Sequence, residues 1–241
     1  MYIPDESGIN SLGGFAYQIK VFVSYMLSMD EGMQAEFETV DDIAISKMTS
    51  DIIDDNEDKF RNLIVSANGI KAIQVKRTSI TEKVAKQVLF NWMLLEKSGK
   101  TITNYILFTD KSYKNSDIVF DVSAEVLYEE ILNSKKSEKA TITKIKKEYE
   151  NDKYRFLNVY ERVKNKYTFM AVDSIDEEIS EKCKVLFKKA GVNRITYCNR
   201  IQELLRHITF KIMQSVNEKK PYIVSYEEMI SYSEDICTRF T

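Results

Sequence analysis

LIVSANGIKAIQVK, residues 63–76, is the stretch from which the fold can be read. Two apolar runs, 63–67 and 70–75, flank Asn68-Gly69, and an Asn-Gly pair is the strongest two-residue hairpin signal because both residues tolerate positive φ. The pattern predicts an antiparallel hairpin whose second strand ends in Gln74-Val75-Lys76. Side chains two apart on a strand leave the same face, so an amide and an ammonium are expected to converge on one point of a sheet.

Toward the N-terminus, Phe15, Ile19, Phe22, Val23 and Met26 recur at helical spacing within 14–28, with Gly13-Gly14 as a flexible entry, and predict a first helix. Residues 35–45 contain Phe37, Thr39, Val40, Ile43 and Ile45 and read as a strand, a short break near Asp41 and a second strand. The stretch 49–59 carries Asp51, Asp54, Asp55, Glu57 and Asp58, too polar for a core element, and lacks the glycine-centred spacing of an EF-hand. It reads as an exposed loop.

Toward the C-terminus, Ser79-Ile80-Thr81-Glu82 has capping-box spacing, and Val84, Val88, Trp92 and Leu95 form one helical stripe that ends near Gly99. Residues 105–109 are a continuous apolar run of strand length, as expected for a buried central or parallel strand. Beyond Asp110 the chain turns to lysine-rich amphipathic segments over 124–133, 142–163, 177–189, 201–216 and 226–238, interrupted by one strand over 167–172. The expectation is an α/β protein, with a helix, three or four antiparallel strands, a helix and a strand in residues 1–115 and a mostly helical extension over 116–241.

Composition narrows the chemistry. With 44% hydrophobic and 30% charged residues in 241, the chain is neither disordered nor a small disulfide scaffold. A net charge of −2 announces no basic surface, so any nucleic-acid face must be local. Cys183, Cys198 and Cys237 are odd in number and far apart, which fits neither a disulfide framework nor a zinc ribbon. Asp5 and Glu6 stand where a secretory signal would be basic, and no apolar run has membrane-spanning length; both features fit a reducing cytoplasm. His207 is the sole histidine, set among Leu204, Leu205, Ile208 and Phe210 on an apolar helix face, which removes histidine triads and histidine-metal sites. Neither GxxxxGK[ST] nor GxGxxG occurs, leaving acid, amide and lysine chemistry.

The acids of Glu38-Thr39-Val40-Asp41-Asp42-Ile43, at a strand start, and Gln74-Val75-Lys76 form the informative constellation. Carboxylates are hard ligands for Mg²⁺, and a metal with a lysine can orient water and offset charge on a phosphate, so the set suits phosphodiester hydrolysis. Acids that merely cap turns and a lysine that blunts a sheet edge are the competing reading.

In this order the sequence resembles the PD-(D/E)XK, or restriction-endonuclease-like, superfamily. More narrowly it resembles the nuclease domain of antiphage effectors of cyclic-oligonucleotide (CBASS) and Lamassu-type systems, and its QxK is similar to that of the Mrr group. Gly13-Gly14-Phe15-Ala16-Tyr17-Gln18, Glu38, Val40-Asp41-Asp42-Ile43, Ile73-Gln74-Val75-Lys76-Arg77 and the strand over 105–109 carry the likeness. The resemblance implies a restriction-endonuclease-like αβββαβ core. It makes Asp41 the metal-binding acid, with Asp42 as the alternative register, Gln74 the occupant of the usual acidic position and Lys76 the motif lysine. The Val75 carbonyl and Glu38 are then further oxygen ligands for Mg²⁺ or Mn²⁺. Tyr17 and Gln18 match a helix-one YQ and either point toward the site or pack. Arg77, Lys83 and Lys86 are candidates for DNA phosphates, with Lys135, Lys136, Lys144, Lys146 and Lys147 as an extension of that track. The implied partner is double-stranded DNA, and the implied activity is gated by homo-oligomer assembly or by a companion such as an SMC-like ATPase, with the helical half as transmitter. A nuclease-fold module without activity, and an RNase or DNA-repair nuclease of the same superfamily, are the competing functions.

Overall fold

The hairpin forms as β2 (Phe60–Ser66) and β3 (Gly69–Lys76), with Ser66 paired to Gly69, so its two-residue turn is Ala67-Asn68 rather than Asn68-Gly69. Gly69 has φ +125°, and a Cβ there would stand 2.7 Å from the Thr101 carbonyl oxygen. That carbonyl accepts from the Ile70 N–H at 2.8 Å. The glycine therefore answers both the positive φ where the turn enters β3 and a close backbone approach from elsewhere in the chain.

The computed structural model describes residues 7–39, 60–77, 80–137 and 140–241. Asp41 and Asp42, the expected break and second strand beside them, the acidic stretch 49–59 and Ser79 lie outside the described residues. The first part runs α1 (Ser7–Met26), β1 (Gln34–Thr39), β2, β3, α2 (Glu82–Lys97) and β4 (Ile102–Asp110). The N-cap of α2 is Thr81, whose hydroxyl accepts from the Val84 N–H. The second part runs α3 (Ala124–Asn133), α4 (Thr141–Tyr149), α5 (Lys153–Asn165), β5 (Tyr167–Val172), α6 (Ile175–Phe187), α7 (Arg194–Asn217), β6 (Tyr222–Ser225) and α8 (Tyr226–Arg239).

Three expectations for the second part need correction. The single helix over 142–163 is two, because Asp152 caps α5 by accepting from the Arg155 N–H at 2.9 Å. The helix expected from 201 begins at Arg194, capped by Asn193. There are two strands, not one, since β6 lies between Pro221 and the capping box that opens α8.

The sheet has six strands in the order β5-β4-β3-β2-β1-β6. β3, β4 and β5 are mutually parallel, and the other neighbours are antiparallel. β5 and β6, both from the second part, close opposite edges of a sheet begun by the first. One face carries Ala35, Phe37, Ile73, Val75, Ile106 and Phe108 against α1, α6, α7 and α8. The other carries Leu63, Ala72, Tyr105 and Leu107 against α2 through α5. Phe22 of α1 meets Phe37 edge-on at 5.8 Å, and Trp92 of α2 lies 5.4 Å from Tyr105, which fixes each flanking helix to its face. β3 is buried from Ala72 to Lys76 without a break, as a strand covered on both faces must be.

A buried carboxylate joins α2 to the parallel half of the sheet. Glu96 accepts from Lys166 at 2.7 and 3.0 Å, from the Tyr105 hydroxyl at 2.7 Å and from Arg162 at 3.2 Å. Burial disfavours its charge, but these donors outweigh burial and hold the carboxyl below its ordinary range. A depressed folded value means that the stability is present above the unfolded value and is lost as pH falls through the folded one. Glu96→Ala should therefore cost about 2 kcal/mol in urea unfolding at neutral pH. The difference from wild type should shrink once both are measured below about pH 4.

Candidate active site

Along the α2 face, β3 reads Ala72, Gln74, Lys76 and β4 reads Tyr105, Leu107, Thr109, each changing from apolar to polar toward its carboxyl end. Gln74 is paired with Leu107 and Lys76 with Thr109, so Lys76 and Thr109 stand side by side. Gln74 is 1% exposed, Lys76 5% and Thr109 0%, and neither Gln74 nor Lys76 is free of partners. An ammonium so enclosed is expensive unless its charge is compensated, which distinguishes Lys76 from an edge-blunting lysine.

β1 and β3 run in the same direction, because each is antiparallel to β2. Their carboxyl ends therefore lie at one end of the sheet. Glu36 pairs with Leu63 and Leu63 with Ala72, so alternation puts Arg61 on the same face as Gln74 and Lys76, and Glu38 is the backbone partner of Arg61. At the usual strand spacing, the Cα positions of Glu38 and Gln74 are separated by about 10 Å, the width of two strand intervals. Arg61 acts electrostatically on the Tyr105 phenol, in keeping with that face. Asp41 follows Thr39, the last residue of β1, by two positions in the chain.

The other expected residues are distributed differently. Tyr17 and Gln18 lie on α1, across the sheet from Gln74 and Lys76. The Tyr17 ring packs on Phe108 with centroids 6.4 Å apart, and its buried hydroxyl has no hydrogen-bond partner among the described residues. Burial and the carboxylates of Asp110 and Glu178 push that phenol up, with Arg77 opposing them. Gln18 is 4% exposed. Val75 turns its side chain to the α1 core, and its carbonyl stays in the plane of the sheet.

Among the basic residues, Arg77 and Lys83 are exposed, whereas Lys86 is paired with Glu82 at 2.7 Å and Glu130 at 2.5 Å. Burial works against the Lys86 charge, but the two carboxylates raise its pKa overall. Lys146 donates to the carbonyls of Leu132 and Ser134, tying down the end of α3. Lys86 and Lys146 are thus structural cations. Lys135, Lys136, Lys144 and Lys147 are exposed.

Thr109 and Arg61 were not singled out from sequence. The signal for Thr109 was that the run over 105–109 closes on Thr-Asp at a strand's carboxyl end, where ligands of parallel sheets gather. Asp110, next along, accepts from the Ser112 N–H at 2.8 Å and is occupied in shaping the turn after β4.

Amide and carboxylate oxygens at this end have the hard-donor chemistry of a Mg²⁺ or Mn²⁺ site. Among the described residues no group of three or more His, Cys, Asp or Glu side chains is placed to hold a metal. The Cys183 thiol is buried in the α1 core with its pKa pushed up to about 12, and His207 stacks on Tyr232 with centroids 3.7 Å apart. No helix among the described residues is long and apolar enough to cross a membrane.

Comparison with family models, curated proteins and solved structures gives no significant match. Burial of the lysine can be checked by reductive methylation of the folded protein with peptide mapping. Lys83 and Lys135 should be modified well before Lys76; equal rates would remove Lys76 from the enclosed position.

Proposed function

We propose that the chain is a metal-dependent double-stranded DNA endonuclease of the PD-(D/E)XK type, acting in the cytoplasm as a gated effector of antiphage defence. The observation that carries the reading is the enclosed Gln74–Lys76 pair on one face at the carboxyl end of β3, beside Thr109. The order helix, three-strand meander, helix, parallel strand supports it, because the same order is implied by the resemblance in QxK and in the first helix. The defence role, and gating by a second copy or an SMC-like ATPase, rest on that resemblance alone.

Asp41, the Gln74 amide oxygen and the Val75 carbonyl would hold Mg²⁺ or Mn²⁺, with Glu38 in support and Asp42 as the other register. When bound, the metal supplies Lewis acidity at the scissile phosphate. Lys76 contributes a positive charge in a low-dielectric setting, where it counts for more against charge gathering on the phosphate oxygens than it would in water. Its N–H donors orient the attacking water, and the ammonium lowers the cost of removing that water's proton. Gln74 carries no charge, so binding of a cation depends more on Asp41 than it would with two acids.

That neutral amide also suits a module that keeps the fold and binds DNA without cutting it, and cleavage separates the two. In activated protein, Lys76→Ala and Asp41→Ala should abolish Mg²⁺-dependent plasmid cleavage while retaining the fold and most DNA affinity at matched salt. Asp42→Ala should be milder. Cleavage by Lys76→Ala at the wild-type rate would end the nuclease assignment of this lysine, and faster digestion of an RNA duplex than of the matched DNA would move the substrate to RNA.

A further inference from the structure

Gly13 lies inside α1, where helical backbone has no need of glycine and where glycine is the weakest helix former after proline. Its environment supplies a reason. A Cβ on Gly13 would stand 2.7 Å from Nη1 and 3.9 Å from Cζ of Arg77, so the guanidinium occupies the space that any side chain at position 13 would fill. The guanidinium thus lies against α1 at Gly13, and Tyr17, one helical turn further on, feels its charge.

Arg77 directly follows Lys76 at the end of β3, and strand alternation sends the two to opposite faces: Lys76 beneath α2, Arg77 onto α1. Arg77 is exposed and makes no hydrogen bond or ion pair with the described residues. Asp110 and Glu178, whose charges also reach Tyr17, are occupied elsewhere, Asp110 by Ser112 and Glu178 by Ser24 and Lys182. Glycine weakens the helix, and no hydrogen bond or ion pair of Arg77 with the described residues offsets that cost. A guanidinium that lies against α1 with no hydrogen-bond or ion-pair partner among the described residues is available to an external oxyanion, and its planar fork matches phosphate.

We propose that Gly13 is a positioning residue: by lacking a side chain it seats Arg77 against α1, so that the guanidinium receives a backbone phosphate of duplex DNA next to the one approached by Lys76. The inference rests on the nuclease reading and adds the residue that fixes how the phosphodiester backbone passes the end of β3. Gly13 touches no substrate and acts only through Arg77.

The test uses the full chain and a short DNA duplex in EDTA, so that binding is read without cleavage, across a series of salt concentrations. Arg77→Ala should weaken binding roughly tenfold and lower the slope of log affinity against log salt by about one phosphate contact. Gly13→Ala should do nearly the same, and the double variant should be no worse than Arg77→Ala, as expected for two residues acting through one contact. Because the atom displaced by a Cβ is the far end of a flexible side chain, Gly13→Ala should fold, with a urea midpoint no lower than wild type. Wild-type affinity and salt slope in both single variants would overturn the seat and leave the nuclease reading standing. Failure of the wild type to bind duplex DNA would overturn both. Unfolding of Gly13→Ala even in the Arg77→Ala background would show that something other than Arg77 requires the glycine, and that too would overturn the proposal.

Discussion

The carboxyl end of β3 depends on accommodating one charge, the ammonium of Lys76, in a strand covered on both faces. At 5% exposure it cannot rely on bulk water, so its neighbours on the same face must be polar. They are: Gln74 precedes it by one same-face step, and Thr109 lies beside it on β4. Further down the same strands the positions belong to Ala72, Tyr105 and Leu107, which pack against α2 and the helices beside it. The face is thus divided into an apolar part packed against the helices and a polar end at the carboxyl ends of β3 and β4, where the proposed function places the chemistry.

That division works only because the sheet is clamped from both sides. α1 seals one face through Phe22 and Phe37, and α2 seals the other through Trp92 and Tyr105. The second half of the chain finishes both jobs. It supplies β5 and β6 to the two edges and three helices to each face, and it contributes Lys166 and Arg162 to the buried Glu96 carboxylate. Arg200 closes the far side, donating to the carbonyls of Phe187, Cys237 and Phe240 where α6 and α8 end. A segment that reads as a helical extension in the sequence is, in space, part of the same sheet and the same two cores.

Features governed by short-range periodicity were legible in the sequence. The stripe from Phe15 to Met26, the stripe from Val88 to Leu95 and the apolar run over 105–109 each gave the right element, and the period of two put Gln74 and Lys76 on a common face. Features set by distant partners were not legible. The role of Gly69 is decided in part by Thr101, and the occupation of Lys86 by Glu130. Periodicity also tells which residues share a face but not which helix covers it, so it left open whether Tyr17 and Gln18 point to the site; α1 packs on the opposite side. β6 was missed because four residues between a proline and a capping box leave no room for a pattern. The split between α4 and α5 was missed because apolar spacing continues through Asn151-Asp152, whose preference for caps outweighs it locally.

The central claim is that the reaction centre lies on the α2 face at the carboxyl end of β3. It is tested most directly by titrating the protein with Mn²⁺ while following paramagnetic broadening of assigned backbone amide signals. Broadening should begin at Gln74, Lys76 and Thr109 and spare His207 and Tyr232, which stack between α7 and α8. A bound ion that broadens signals elsewhere while leaving the end of β3 sharp, or no specific broadening at all, would contradict the account.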